Sequence, residues 1–242
     1  HIPCTMTNLL KVEFHCHTIY SKDSLTRPED LLAACRRKGI DRVIVTDHNT
    51  IAGALRAREL DPARVIVGEE VMTRQGELLA AFVREEVPPG LDAPEAIARL
   101  REQEAFISVS HPFDQMRSGH WEAEDLLAIL DRVDAIEDFN ARCMWPGYNR
   151  EAQKFARRHG LAVTVGSDAH AAFELGKATL RLPPFEDAAG LRRALQQAQR
   201  DVSLSAPWVH FVSRYAAWRK KNDRSLRKYD RSREPDSGVA GP

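Results

Sequence analysis

Short apolar runs alternate with longer amphipathic segments along most of the chain. The runs are rich in Val and Ile and apolar at successive positions, which is typical of strands buried on both faces of a parallel sheet. The alternation predicts an α/β fold, either an open doubly wound sheet or a closed barrel. Seven strands are expected at residues 12–17, 42–46, 64–67, 106–110, 134–139, 162–165 and 178–182. Helices are expected at residues 28–38, 51–59, 94–103, 122–130, 150–159 and 188–199.

The pattern changes after Pro207. Four aromatic residues recur every three or four positions, at Trp208, Phe211, Tyr215 and Trp218, which predicts one stripe along a helix. Lys and Arg surround this stripe, with nine basic against four acidic residues from position 208 to the end. A basic segment that contacts nucleic acid is one interpretation. The pattern favours the other, a helix that packs its aromatic side chains on the barrel.

Length, composition and charge exclude several classes of protein. The chain has 242 residues, and its 43% hydrophobic and 29% charged content is ordinary for a soluble globular protein. Thirty-five basic residues balance 35 acidic ones, so global charge directs the chain neither to nucleic acid nor to a membrane. The four cysteines form no CxxC pair, which excludes a zinc ribbon or a thioredoxin-type motif. Since neither a membrane helix nor a secretory signal is recognisable, we expect a cytoplasmic protein.

Two histidines close the first apolar run, in the segment Glu-Phe-His-Cys-His-Thr at residues 13–18. Side chains two residues apart on a strand share a face, so His15 and His17 should point into one volume. Two ligands of one metal ion can arise in this way, although a pair of solvent-facing histidines would have the same spacing. Cys16 lies on the opposite face and is not expected to be a nucleophile.

The ends of four later strands decide between these interpretations, because each also carries His, Asp or Glu. The carboxyl ends of parallel strands meet at one face of an α/β fold, where active sites lie. We therefore predict a metal centre there. Its expected ligands are His15, His17, His48, Glu70, His111, Asp168 and His170. These exceed the roughly four ligands of one zinc ion, so two or three divalent ions, Zn²⁺, Mn²⁺ or Fe²⁺, fit better.

Five short motifs carry these residues: EFHCHT at 13–18, TDHNT at 46–50, GEE at 68–70, HP at 111–112 and GSDAH at 166–170. In this order they resemble the motifs of the PHP (polymerase and histidinol phosphatase) family. The resemblance covers about residues 12–199. It implies a distorted, seven-stranded, TIM-like β/α barrel, a trinuclear metal site and phosphoester hydrolysis. We accordingly divide the chain into a hydrolase domain at 8–205 and a basic helical extension at 206–242, disordered at its end.

The resemblance implies further site residues. The aspartate that follows the HxH segment in the family is matched by Asp23, and a ligand after the fifth strand by Cys143, with Asn140 as the alternative. Many nucleotide-cleaving members carry a second histidine shortly after the Gly-x-Glu motif, where this chain has Glu77. That departure leaves the number of ions and the substrate class open.

Two arginines are candidates for holding a substrate phosphate by paired hydrogen bonds. Arg117 lies six residues beyond His111, and Arg142 lies two residues beyond Asn140. Either side chain is long enough to reach over the predicted metal centre from the loop that carries it.

The resulting hypothesis is metal-dependent hydrolysis of a phosphomonoester or small phosphodiester, with a nucleotide or short oligonucleotide favoured by the basic extension. Metal ions lower the pKa of a bound water toward about 7, which gives a hydroxide nucleophile at neutral pH. Asp168 would orient the nucleophile, and His170 or His48 would assist the leaving alkoxide. The alternatives are a histidinol-phosphate-type phosphatase and a non-catalytic, metal-stabilised module of a DNA polymerase or repair partner. The pattern does not indicate an oligomeric state.

Overall fold

The structure, a computed structural model, describes residues 9–229, so the predicted disorder of 232–242 lies outside the described residues. Between residues 9 and 229, none of the helices is both long and apolar enough to cross a membrane. The strands are β1 (Leu10–Glu13), β2 (Arg42–Val45), β3 (Val65–Met72), β4 (Glu77–Ala81), β5 (Phe106–Val109), β6 (Ala135–Asn140), β7 (Ala162–Gly166), β8 (Ala178–Leu182) and β9 (Gln199–Val202). The helices are α1 (Pro28–Arg37), α2 (Ala52–Leu60), α3 (Ala93–Glu102), α4 (Ala123–Leu127), α5 (Pro146–His159), α6 (Ala188–Ala194), α7 (Val209–Asn222) and α8 (Arg224–Arg227).

The strands form one sheet in the order β7-β6-β5-β4-β3-β2-β1-β8-β9. β4 is antiparallel to both of its neighbours, β8 is antiparallel to β1, and β9 is antiparallel to β8. The sheet curls until the segments that follow β1 and β7 meet: His17 N donates to Ala169 O at 2.8 Å, and Ala169 N donates to His15 O at 3.3 Å. The predicted α/β barrel is therefore confirmed, with nine strands rather than seven. The HxH and DAH motifs themselves make its last seam.

Successive residues of the central strands pack into two different hydrophobic clusters. Val43 and Val65 belong to the cluster that the surrounding helices cover, whereas Ile44 and Ile66 belong to a second cluster with Phe106. Burial on both faces is what the apolar runs predict.

Three features of the sheet differ from the prediction. β4 was not expected, because its sequence ELLAA lacks the β-branched residues that favour strands. β9 was not expected either: only its first residue, Gln199, falls within a predicted helix, and it is an exposed edge strand without an apolar pattern. β1 ends at Glu13, four residues before the predicted end, so the two histidines of the HxH segment lie just beyond the strand.

α7 packs on the barrel in the opposite orientation to the one expected. Phe211, Tyr215 and Trp218 are exposed, as is Trp208 just before the helix, and the buried residues of α7 are Val209, Ala216 and Lys220. The surface beneath the helix presents the backbone oxygens of Ile19 and Ser21, both of which accept hydrogen bonds from Lys220 Nζ. The ammonium group of Lys220 supplies the donors for these buried carbonyl oxygens, so the face that carries Lys220 packs on the barrel. The prediction that the aromatic side chains cover the barrel is wrong.

Candidate metal centre

Glu70 and Asp168 lie at the centre of a buried cluster at the carboxyl end of the barrel. His15 Nε2 is 3.3 Å from Glu70 Oε1 and 3.6 Å from Asp168 Oδ1. His17 Nε2 is 3.4 Å from Glu70 Oε2 and 3.3 Å from Asp168 Oδ1. The end of β3 and the loop after β7 thus place two carboxylates against both histidines of the HxH segment.

The remaining predicted histidines lie around this centre. His48 Nδ1 is 3.0 Å from Glu70 Oε2, and His111 Nε2 is 3.4 Å from Glu70 Oε1. On the outer side, Asp23 Oδ2 is 3.2 Å from His170 Nε2, and Asp23 Oδ1 is 3.6 Å from His48 Nε2. Asp23 therefore joins the loop after β1 to the ends of β2 and β7.

Glu77 also reaches the cluster, from the first position of β4. Its Oε2 is 3.3 Å from His111 Nε2, and its Oε1 is 3.8 Å from His48 Nδ1. Burial and the neighbouring charge of Glu70 raise its pKa. The residue that departs from the family pattern is thus a carboxylate at the centre itself. An apolar run after a turn at residues 73–76 was the signal that could have indicated its strand.

Several buried polar atoms of the cluster have no hydrogen-bond partner among residues 9–229. Such atoms are costly to bury, and a bound cation is the partner that a group of imidazole nitrogens and carboxylate oxygens fits. They include His15 Nε2, His17 Nε2, His111 Nε2, Asp23 Oδ1, Glu70 Oε2 and Asp168 Oδ1. Three sets of side chains hold their ligand atoms within 4.8 Å of one another: His17–His48–His170, His15–His17–Glu70 and His48–Glu70–Glu77.

Metal ligands must be deprotonated, and the members of the cluster differ in this respect. Despite burial, neighbouring carboxylates raise the pKa of His15 and of His48 well above the usual value, so these imidazoles would release protons when cations bind. Burial favours the neutral carboxyl, but His15 and His48 hold the pKa of Glu70 well below its usual value. Arg117 and His15 likewise outweigh burial and lower the pKa of Asp168. Burial, with His170 and His48, lowers the pKa of His17, which favours a neutral imidazole.

Two hydrogen bonds fix the histidines of the HxH segment from behind. His15 Nδ1 donates to Glu137 Oε1 at 2.9 Å, and Glu137 Oε2 accepts from His111 N at 2.9 Å. His17 Nδ1 lies 3.1 Å from the hydroxyl of Ser21. Each contact leaves the Nε2 atom facing the cluster, as second-layer partners of metal-bound histidines do. We had not predicted either partner, because neither follows from the motif spacing.

Two further buried carboxylates hold the motif loops. Glu13 accepts hydrogen bonds from the hydroxyl and the backbone N–H of Ser167, at 2.5 and 3.1 Å. Asp47 accepts from the backbone N–H and the hydroxyl of Thr18 and from the hydroxyl of Ser21, each at 2.6 Å. These contacts tie the loop after β1 to the ends of β7 and β2. Both carboxylates lie inside the quoted motifs, where their acidity was the available signal.

The backbone is strained beside the ligands. Asn49, His111 and Asp168 have positive φ angles of 55°, 20° and 51°. Such conformations cost of order 1–3 kcal/mol each and persist where surrounding contacts enforce them. Here they turn the chain sharply at three strand ends, so that His48, His111 and Asp168 point inward.

Cys143 does not reach the cluster. Its Sγ donates to Trp145 O at 3.1 Å, and burial raises its pKa to about 11, which disfavours the thiolate. The β6 register shifts between Glu137 and Phe139, and Asn140 turns inward instead. Asn140 Nδ2 donates to Asp168 Oδ2 at 3.2 Å. The structure therefore brings the alternative, rather than the favoured candidate, into contact with a cluster residue.

The two candidate arginines lie in different places. Arg117 Nη2 contacts Asp168 Oδ2 directly, and its Nε is 3.4 Å from Asp114. Arg142 instead donates to Val209 O at 3.2 Å and to Ser213 Oγ at 2.8 Å. Its buried guanidinium secures the start of α7, so only Arg117 is placed to meet a substrate at the cluster.

Two family models match this chain. The PHP domain matches residues 13–116, and the PHP-associated domain matches residues 146–199. The first match covers the first four motifs, up to the histidine at 111, and the second covers the DAH motif.

Individual proteins agree with these matches. A Methanocaldococcus jannaschii protein of unassigned function is 38% identical over 176 residues, which cover 71% of this chain and 70% of that protein. A Caldicellulosiruptor saccharolyticus protein named "probable phosphatase" is 25% identical over 193 residues, which cover 66% of this chain and 80% of that protein.

Solved structures share the fold at low sequence identity. PsfC from Pseudomonas syringae is 17% identical with a TM-score of 0.64, and the match covers 89% of this chain and all 100% of that one. The lesion-specific endonuclease EndoQ from Pyrococcus furiosus is 15% identical with a TM-score of 0.54, over 82% of this chain and 60% of that one. From the two family matches and the 38% identity we conclude that the chain belongs to the PHP domain family of metal-dependent phosphoric ester hydrolases.

Proposed function

We propose that this protein hydrolyses a phosphomonoester or a small phosphodiester, with a nucleotide or short oligonucleotide as the substrate class. The observation that carries the proposal is the set of buried carboxylate and imidazole atoms without hydrogen-bond partners within the described residues 9–229. Burying these atoms without partners lowers the folding stability, and the binding of cations would explain why the protein retains them. The relative named as a phosphatase and the endonuclease with the same fold support phosphate ester chemistry.

The cluster would hold two or three divalent ions. Each of the residues His17, His48 and Glu70 belongs to two of the three ligand sets. Such common ligands suit neighbouring ions better than isolated ones. Mixed imidazole and carboxylate ligands suit Zn²⁺, Mn²⁺ or Fe²⁺. When bound, such ions supply Lewis-acid chemistry: they lower the pKa of a coordinated water and neutralise charge on phosphoryl oxygens.

The protein's own groups would position the reactants. Arg117 contacts Asp168, and 21% of its side chain is exposed. Its guanidinium can therefore bind a phosphoryl oxygen without leaving the cluster. Asp168 would orient the nucleophile by accepting its hydrogen bond. His48 or His170, which lie on either side of Asp23, would supply the proton to the leaving oxygen.

The domain division remains a proposal. We assign residues 8–205 to the hydrolase and 206–242 to an extension, since the second family match ends at residue 199 and α7 begins at Val209.

The test is metal analysis of the purified protein, followed by a phosphate-release screen. The panel would contain mononucleotides, 3′,5′-bisphosphates, histidinol phosphate and short oligonucleotides. We expect bound divalent metal and turnover of a nucleotide-type substrate. The double variant His15→Ala/His17→Ala should lose both, whereas His159→Ala, at an exposed position at the end of α5, should retain both.

Three outcomes would contradict the proposal. Full activity in the double variant would remove the cluster from the mechanism. Turnover of histidinol phosphate alone would favour the histidinol-phosphate-type phosphatase. Bound metal without turnover of any substrate would favour the non-catalytic module.

A further inference from the structure

The outward face of α7 carries a line of exposed rings, here called the aromatic stripe: Trp208, Phe211, Tyr215 and Trp218. These side chains are 53%, 70%, 53% and 58% exposed. Tyr215 and Trp218 stack with their ring centroids 5.9 Å apart. Rings three or four residues apart follow one another at about one helical turn, or about 5.4 Å. The stripe is therefore a series of flat surfaces along one face, and each of its rings is more than half exposed.

The aromatic stripe begins beside the metal centre. Trp208 stacks on Phe173 with ring centroids 5.2 Å apart, and Phe173 lies three residues beyond His170. Three extended residues span at most about 11 Å, so the first ring of the aromatic stripe is close to the DAH loop. The far end of α7 is held to the loop after β1 by Lys220, which contacts Ile19 O and Ser21 O.

Positive charge borders the same face. Exposed cations lie on α7 and α8 and just beyond them, at Arg214, Arg219, Lys221, Arg224 and Lys228. Of these, Arg219 also pairs with Asp223 at 3.4 Å. Asp223 is the single acidic residue between positions 208 and 229. Because the whole chain is neutral, this segment stands out as a local basic region against a remainder that carries the compensating negative charge.

These properties select one kind of partner. A second copy of the chain would oppose two basic helices, which repel each other. A membrane surface also accepts a helix with rings and cations, but it gives no role to the placement of the first ring beside the DAH loop of the metal centre. Single-stranded nucleic acid needs both features together, since bases stack on rings and phosphates bind the cations beside them.

We propose that the aromatic stripe and its bordering cations bind single-stranded nucleic acid and guide it toward the metal centre. Binding by α7 stands on its own contacts, whereas delivery to the cluster rests on the proposed function. The segment lies beyond both family matches, the later of which ends at residue 199. This surface is therefore a property of the extension.

Fluorescence anisotropy would test binding with labelled oligothymidylate and oligouridylate of about 12 nucleotides, within the usual range of single-strand sites. The full chain would be measured in EDTA, so that no hydrolysis occurs. We expect Phe211→Ser/Trp218→Ser to weaken binding about tenfold or more, because each base–ring stack contributes about 1–3 kcal/mol. Phe211→Tyr/Trp218→Phe keeps the rings and should retain most of the affinity.

Salt dependence would test the cations. Arg214→Gln/Arg224→Gln should lower the slope of log affinity against log salt by about one for each lost phosphate contact. Arg157→Gln/Arg158→Gln removes two exposed arginines from α5 and should leave the slope unchanged.

Several results would overturn the inference. They are equal affinity of the serine and ring-preserving variants, tighter binding to anionic vesicles than to oligonucleotides, or a dimer that the serine variant abolishes. Turnover of a small, generic phosphodiester with metal restored reports separately on the proposed function, and it should be equal in wild type and serine variant. If that turnover is absent while oligonucleotide binding persists, the catalytic proposal fails and the binding surface stands.

Discussion

Two aspartates at opposite ends of the barrel, the partly buried Asp134 and the fully buried Asp168, have opposite hydrogen-bonding environments. Asp134, just before β6, accepts hydrogen bonds from Arg101 at 2.8 and 2.9 Å, from Arg192 at 2.7 and 3.1 Å, and from Ile107 N at 2.8 Å. Asp168, just after β7, has one carboxylate oxygen without a hydrogen-bond partner in the part of the chain that the structure describes.

The two ends of the barrel therefore have different roles: one end stabilises the fold, and the other end binds ligands. At the amino-terminal end of β6, a charge is saturated by permanent partners and contributes to stability. At the carboxyl ends of the strands, charges are left for partners that come from solution, and the fold accepts their burial cost. Four changes, from the largest expected effect to the smallest, test this contrast.

Asp168→Asn should abolish most of the activity. It removes one charge from the centre of the cluster, and we expect at least about a hundredfold loss in kcat/KM, since even outer partners of metal ligands contribute about 10–100-fold. Metal should raise the melting temperature of the wild type and not that of the variant. In EDTA, the variant also lacks the ion pair with Arg117, so a moderate loss of stability is expected there, separate from the missing response to metal. Unchanged turnover would show that the cluster carboxylate is not used.

Asp134→Asn should do the reverse. Loss of the charge leaves Arg101 and Arg192 without their common partner. Their side chains are 33% and 36% exposed, so we expect a fall of about 1.5–3 kcal/mol in the free energy of unfolding. Denaturant titration in EDTA measures it, and metal content of the folded variant should be unchanged. A loss of metal without a loss of stability would contradict the stabilising role of Asp134.

Lys220→Met tests whether a buried group with all its hydrogen bonds made also stabilises the fold when it lies at the carboxyl end of the barrel. The substitution removes the donor for Ile19 O and Ser21 O, and we expect a loss of about 1–3 kcal/mol from two buried, unsatisfied acceptors. Metal affinity should fall several-fold, because Ser21 orients His17. The matched control is Lys221→Met, at an exposed neighbouring position. Equal effects of the two variants would contradict this role of Lys220.

The smallest effect concerns acid stability. Although burial opposes it, hydrogen bonds from Arg101 and Arg192 lower the pKa of Asp134 below its usual value near 3.8. Its contribution is therefore complete above the unfolded pKa and is lost as the pH falls through the lower, folded value. The difference in unfolding free energy between wild type and Asp134→Asn should be constant from pH 7 to about pH 5 and shrink in acid. A difference that grows in acid would contradict the lowered pKa of Asp134 in the folded protein.

The sequence predicted the centre of the site better than its margins. His15, His17 and Glu70 follow strands or motifs whose spacing is local, so the chain itself indicated that they would meet. Glu77 was harder to place, because its strand has a weak β pattern and pairs with residues up to Val109. Arg142 was also misjudged, since nothing local shows that its guanidinium turns to α7.

The sequence by itself determined the alternation of strands and helices, the face on which the ligands gather and the kind of cofactor they suit. These depend on residue type and on spacing within a few positions. Tertiary structure alone decided the closure of the barrel by the HxH and DAH motifs and the orientation of α7. That orientation depends on Lys220 and the backbone oxygen of Ile19, 201 residues apart, and no local pattern records such a contact. The same contact leaves the aromatic stripe facing solvent.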